Sequence, residues 1–267
     1  MSLAPGRQSV AAYNHGAMLL HWLIALLIIA ELSLGYLMKH YTILPEMLAS
    51  AFYQSRFTFY QSHKTFGIMI LLLTLMRLAW RFLYKPPVEP PIGKAEKAAT
   101  QIATFLFYAL MILVPLLGWA VSSTTARKLP ILLFGNPHFV WPLLPPQLTL
   151  FSHLQAEWLH LVLAYSLAFL LFLHIGGALK HQFYSHIPIM ARMLPGHNLQ
   201  AQKASKTVFL LLFLAVFCLA AMVIYCASIA KRQAETAQTA TLPAQEGQAL
   251  PGAAPITAPA ANNHIRQ

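Results

Sequence analysis

Two histidines, His160 and His174, stand fourteen residues apart in the apolar run LHLVLAYSLAFLLFLHI. On an α-helix at about 100° per residue, fourteen steps fall about 40° short of four full turns, so both imidazoles leave one face. A rise of about 1.5 Å per residue puts them about 21 Å apart along the axis. The hydrocarbon core of a bilayer is about 30 Å thick. One helix therefore presents a histidine near each edge of a membrane. A neutral imidazole is a metal ligand, and two at this spacing suit one axial position on each of two stacked haems.

A partner set for these two appears elsewhere. His21 lies in the first turns of the run Ala17–Met38, and His63 opens the run His63–Leu83. If the spans alternate direction, His21 comes level with His174 and His63 level with His160. Each level then offers two imidazoles from two helices. Two neutral imidazoles fill both axial positions of an iron and leave none for oxygen or substrate, so such an iron passes single electrons. Zinc needs its ligands to converge at about 2 Å from one ion, which the separation within His160–His174 forbids. A transporter with histidine proton relays fits the same residues.

The elements that must carry these side chains follow from composition. The chain has 267 residues, 58% hydrophobic and 9% charged, which excludes an ordinary soluble domain and indicates a helical membrane protein. Its net charge of +11 comes from Lys and Arg lying between and beside apolar runs, as in juxtamembrane loops, so nucleic acid is not an expected partner. Cys218 and Cys226 share one apolar segment eight residues apart and cannot pair on a helix. Met1–Gly16 is mixed and polar, and no small-residue cleavage site follows the first apolar run, so that run is expected to stay in the protein.

The first span, Ala17–Met38, carries Glu31 about midway, where a carboxylate is expensive and is expected to face the bundle interior, hydrogen-bonded to a neighbour. Trp22 reads as an interfacial anchor. Lys39–Ser62 reads as a polar, aromatic-rich connector, part of it a short interfacial helix. In the second span, Arg77 and Arg81 either snorkel to the interface or pair with a haem propionate, since Arg binds carboxylates bidentately. Tyr84–Ala99 is a proline-rich basic loop. The third span, about Ile102–Ser123, has Pro115 as a kink and Gly118 for close packing. Thr124–Gln155 is apolar enough to fold over the bundle end as a lid, with His138 and His153 at the surface. The fourth span, about Ala156–Lys180, has Gly176 and Gly177 after its second histidine, small enough to admit a flat ring or another helix. Thr207–Ser228 reads as a fifth span, and 231–267 as a disordered Ala/Pro/Gln-rich tail. The expected organisation is thus a four-helix transmembrane di-haem domain at 1–200, an additional transmembrane helix at 201–230 and a tail at 231–267.

Alternation puts Arg7, Lys85, Lys94, Lys97, Arg192, Lys203 and Lys206 on one side, with Arg77, Arg81 and Lys180 at helix ends facing it. They outnumber Lys39, Arg56, Lys64, Arg127, Lys128, Lys231, Arg232 and Arg266 on the other. The positive-inside rule then places the N-terminus in the cytoplasm and the tail outside.

The stretches LLHWLIAL, SHKTFGIMILLLTLMRLAWRF, FYALMILVPLLGW and WLHLVLAYSLAFLLFLHIGGALKHQF, followed by ARMLP, resemble the bacterial cytochrome b561 family over roughly residues 13–195. That resemblance implies a four-helix membrane cytochrome with two b haems, whose axial ligands fall on His21, His63, His160 and His174. It implies electron exchange with membrane quinone, ubiquinone or another, and suggests that His181 lies near a quinone-binding region. One branch of the family is a superoxide oxidase, taking electrons from superoxide at the outer face to ubiquinone. Some relatives have a histidine early in span three, where this chain has Thr104. Some are joined to, or encoded with, a periplasmic lipocalin-like isoprenoid-binding domain, and the tail here looks like a linker to such a partner. The expected function is electron transfer across a bacterial inner membrane, between the quinone pool and a periplasmic-side donor or acceptor. The alternatives are superoxide oxidation, for which Lys39, Lys64, Arg127 and Lys128 would steer the anion, and a non-redox anchor for a periplasmic partner.

Overall fold

The structure, a computed structural model of the chain, describes residues 11–194 apart from 44, 91, 127–129 and 188, together with 207 and 214. The expected fifth span, both cysteines, the tail and the domain boundaries at 200 and 230 lie outside these described residues, save Thr207 and Leu214.

Among the described residues four helices are long and apolar enough to cross a membrane. The first, α1, is His15–His40. Asn14 caps it, its Oδ1 accepting from the Ala17 N–H at 2.9 Å, which satisfies one of the donors a helix start leaves open. The second, α2, is Glu46–Leu83. Pro45 lies just outside it and cannot continue the helix backwards. At about 1.5 Å per residue its 38 residues span about 57 Å, well beyond a bilayer core. Most of the stretch expected as a polar connector is therefore helix continuous with the span, and His63 sits inside α2 rather than opening it. The polar Gln54, Ser55 and Arg56 in this stretch are exposed on a helix extending past the membrane, whereas Gln61 is buried.

The third helix, α3, is Lys94–Thr124, so the basic loop is shorter than expected, and Pro115 sits within it without ending it. The fourth, α4, is His153–Leu179. Its start is a capping box: Ser152 accepts from the Gln155 backbone while Gln155 reaches back to the Ser152 N–H at 3.0 Å. It continues into a π-type turn at Lys180–Tyr184.

Backbone packing is closest for α1 on α2, α2 on α3 and α3 on α4. Leu20, Ile24 and Ile28 form a stripe at four-residue spacing on α1 and meet Leu73 and Met76 of α2 and Leu167 and Leu170 of α4 in one core. The outward faces are apolar as well. Leu26, Phe105, Phe169 and Phe172 are all more than 60% exposed, the reverse of a soluble protein and the signature of a lipid-facing surface.

Between α3 and α4 the chain makes a two-stranded antiparallel hairpin, β1 (Ile131–Leu132) with β2 (Val140–Trp141). Gln61 and Thr65, one turn apart on α2, hold it. Gln61 donates to the Pro130 carbonyl at 3.1 Å and accepts from the Leu132 N–H at 2.9 Å, and Thr65 Oγ1 accepts from the Phe134 N–H at 3.0 Å. Ile131, Leu133 and Trp141 are buried against Ile68, so this loop folds back on the bundle as its apolar sequence suggested.

At the opposite end Arg192 ties three chain segments together. Its Nε donates to the Ala11 carbonyl at 2.9 Å, and its Nη2 donates to the carbonyls of Pro87 and Val88 at 3.3 and 2.8 Å. Trp22 Nε1 donates to the Met193 carbonyl at 2.8 Å, so this residue fastens α1 to the segment after α4. Trp80 Nε1 donates to Asn14 Oδ1 at 2.9 Å, and the ring lies so close to Gly16 that a Cβ there would stand 2.4 Å from it. Only glycine leaves room for that indole.

Candidate functional site

The four histidines meet in two pairs. His21 on α1 and His174 on α4 have ring centroids 6.2 Å apart at an interplanar angle of 63°. His63 on α2 and His160 on α4 have centroids 6.2 Å apart at 90°. The pairs lie towards opposite ends of the bundle, because the fourteen residues between His160 and His174 rise about 21 Å. His21, His63 and His160 are half-buried, and His174 is exposed in the chain taken alone.

These dimensions test whether an iron porphyrin fits. A metal bond to imidazole nitrogen is about 2.0 Å long and the ring centroid lies about 1 Å further back, so two axial imidazoles have centroids about 6 Å apart. Both pairs meet that separation.

The ligating nitrogen must also be free. His160 Nδ1 lies 2.9 Å from the Val114 carbonyl oxygen, which only accepts, so Nδ1 carries the proton and Nε2 keeps its lone pair. At His63, Nδ1 lies 2.5 Å from Oε2 of Glu31, whose side chain is only 9% exposed. Neither atom has a well-formed hydrogen bond, so this is a close contact between an orphaned carboxylate and an imidazole nitrogen. A metal on Nε2 would fix a proton on Nδ1 and satisfy both. Space beside the rings is kept by glycine. A Cβ on Gly118 would stand 3.1 Å from Cε1 and 3.3 Å from Nδ1 of His160, and one on Gly35 would stand 3.5 Å from Cε1 of His63. A Cβ on Gly176 or Gly177, by contrast, would meet nothing within 4 Å.

The other pair is set differently. Arg77 Nη1 lies 3.0 Å from His21 Nδ1. A guanidinium only donates, so Nδ1 accepts here. Phe107 packs against His174 with centroids 5.2 Å apart. Beside this pair is a cavity of about 320 Å³ whose walls include Arg77, Arg81, Lys85, Tyr13, Trp80 and Tyr108. Both arginines singled out in the sequence thus border one basic cavity. His181 lies on the π turn at the same end, and its buried Nδ1 makes no hydrogen bond to a described residue.

His138 is exposed, and His153 stands at the start of α4 with Nδ1 3.4 Å from Thr124 Oγ1; neither joins the pairs. Among the described residues no group of three or more His, Cys, Asp or Glu side chains converges on one point. The partners that sequence reasoning missed are Val114 and the contact of Glu31 with His63. A carboxylate in an apolar span was a signal for Glu31, but the residue it faces depends on how α1 and α2 register. A backbone carbonyl gives no sequence signal at all.

A family model described as prokaryotic cytochrome b561 matches residues 12–196. The Escherichia coli (strain K12) protein named cytochrome b561 homolog 2 is 27% identical over 179 residues, which cover 65% of this chain and 86% of that protein. Cytochrome b561 homolog 1 of the same organism is 26% identical over 136 residues, 51% of this chain and 74% of that protein.

Proposed function

The chain belongs to the prokaryotic cytochrome b561 family, haem-b membrane proteins of electron transport, and from that membership we propose that it carries electrons between a membrane quinone and a donor or acceptor on the outer side. In this reading His21 with His174 holds an inner haem b, and His63 with His160 an outer one. The two histidine pairs of equal separation at opposite ends of the bundle carry the proposal. The N-terminus is placed in the cytoplasm, following the distribution of Lys and Arg.

Haem b, if held by these imidazoles, would supply a one-electron carrier. The protein's part is to hold, orient and screen. The Val114 carbonyl keeps His160 in the tautomer that ligates through Nε2. If His21 held the haem through Nε2, its Nδ1 would carry a proton and Arg77, which with Arg81 and Lys85 lines one cavity, would be available to a propionate carboxylate. The orphaned Nδ1 of His181 supports a quinone headgroup site at this inner end, where a carbonyl oxygen would take its proton.

The experiment is anaerobic mixing of the purified protein with a short-chain ubiquinol. The haem bands should reduce, and His181→Ala should slow that reduction while keeping the haem content. A wild-type protein that keeps its haems and is not reduced overturns the quinone assignment.

A second reading, superoxide oxidase, draws on exposed Lys39 and half-buried Lys64 beside His63 at the outer end. Arg127 and Lys128 lie outside the described residues. Two superoxide anions would leave as two dioxygen, and their two electrons with two protons would convert quinone to quinol. Stopped-flow mixing with superoxide decides it, since absence of haem reduction removes this reading.

A further inference from the structure

The cavity of about 320 Å³ at the end of the bundle that carries His21 and His174 is built from separate parts of the chain. Residues 11–14 and residues 84–88 supply two walls, and the last turns of α2 a third. Buried Arg192 ties the first two together through the carbonyls of Ala11, Pro87 and Val88. Trp80 joins the third to both, bonding Asn14 and stacking on Tyr84 with ring centroids 4.5 Å apart. Neither His21 nor His174 lines the cavity.

The charge around it has one sign. Arg77, Arg81 and Lys85 line it, and no Asp or Glu does. Arg77 lies against His21. Arg81 stands one turn further along α2, about 6 Å on, and Lys85 lies past the end of that helix. Neither Arg81 nor Lys85 makes a hydrogen bond or ion pair to a described residue. The neighbouring acids are engaged elsewhere, Glu89 with Lys97 and Glu96 with Lys180. The apolar run of α2 closes at Leu83, so Arg81 and Lys85 stand where a bilayer has its headgroups. Phe82 and Leu83 between them are exposed, as side chains that meet acyl chains are.

A cavity of this size is at the lower limit of small-ligand sites, about 300–1,000 Å³, so it takes a headgroup and leaves the chains outside. Arg offers a phosphate two parallel donors, and Lys a point charge. Three cations without an acid repel the ammonium of a zwitterionic lipid and favour a headgroup of net negative charge. Basic pockets between membrane-spanning helices hold such headgroups. We propose that this cavity binds the phosphodiester headgroup of an anionic phospholipid, held by Arg81 and Lys85.

The test is native mass spectrometry of the purified, haem-loaded, delipidated protein, titrated with dioleoyl phosphatidylglycerol, with dioleoyl phosphatidylcholine and with inorganic phosphate. The expected result is one phosphatidylglycerol retained per chain, at least tenfold more tightly than phosphatidylcholine and not displaced by phosphate. Lys85→Gln and Arg81→Gln should each weaken retention about fivefold, and Lys85→Arg should keep it. Lys94→Gln is the control, an exposed lysine outside the cavity at the same end of the bundle, and should change nothing. Equal retention of the two lipids, or a loss in Lys94→Gln as large as in Lys85→Gln, overturns the inference. Displacement of the lipid by an equal concentration of inorganic phosphate also overturns it, assigning the cavity to a soluble anion. If Arg81→Gln fails to hold haem, Lys85→Gln, beyond the end of α2, reads the same claim. A wild-type protein that retains phosphatidylglycerol but no haem would defeat the two-haem reading and sustain this one.

Discussion

His160 Nδ1 and the Val114 carbonyl oxygen stand 2.9 Å apart, joining α4 to α3 beside the pair of His63 and His160. With Nδ1 carrying the proton in that bond, Nε2 keeps its lone pair. Removing the ring by His160→Ala should therefore abolish the outer haem and spare the inner one, halving the haem per chain. Pyridine haemochrome assay of the purified variant checks this. Equal loss of both haems would contradict the pairing of His160 with His63.

The ring of His160 also needs the bare backbone of Gly118. A Cβ 3.1 Å from Cε1 must push the ring or part α3 from α4. Overpacking of this kind costs about 1–3 kcal/mol. Gly118→Ala should lower outer-haem occupancy and leave the inner haem intact. Gly177→Ala, where a Cβ meets nothing within 4 Å, is the control and should change neither.

How much of this was readable before the fold was known differs from residue to residue. The proximity of His160 to His63 and of His174 to His21 followed from helix rise and alternating spans, because both are fixed by backbone geometry whatever the side chains do. The start of α2 was not readable. Gln54 and Arg56 are polar because the helix leaves the bilayer there, Gln61 because it bonds the hairpin between α3 and α4, and hydropathy cannot tell an emerging helix from a loop. Nor was the Glu31–His63 contact readable, since it depends on the axial stagger of α1 against α2. Trp22 read as a lipid-interface anchor, yet its Nε1 finds the Met193 carbonyl, a partner 171 residues away.

Arg192 ties together the end of the bundle that carries His21 and His174 through the carbonyls of Ala11, Pro87 and Val88, and is itself only 7% exposed. Arg192→Leu keeps apolar bulk and removes every donor. Loss of such charge-assisted bonds should destabilise the protein by about 1–3 kcal/mol. Thermal unfolding in detergent reads the loss, and limited proteolysis should find new cleavage within 84–93. Unchanged proteolysis would show that the three segments do not depend on this side chain.

Glu89, in the loop between α2 and α3, lies 2.8 Å from Lys97 Nζ. The hydrogen bond from Lys97 and its positive charge hold the Glu89 carboxyl below its ordinary value of 4.5. A carboxyl lowered in the folded state stabilises above its unfolded value, and that contribution fades as pH falls through the folded value. Both groups are solvent-exposed, so the effect is small. Glu89→Gln should lower the unfolding temperature slightly at pH 7. The difference from wild type should shrink as pH drops below 4.5 and vanish once it is below the lowered folded value. A difference that persists in acid would assign it to something other than this ion pair.

The account depends most on two irons held by four imidazoles. The direct measurement is haem quantification on the purified, haem-replete protein, together with its optical and electron paramagnetic resonance spectra. The expected result is two b haems per chain, both low-spin with two histidine ligands. A colourless protein, or one whose single haem survives replacement of any of His21, His63, His160 and His174, would contradict it.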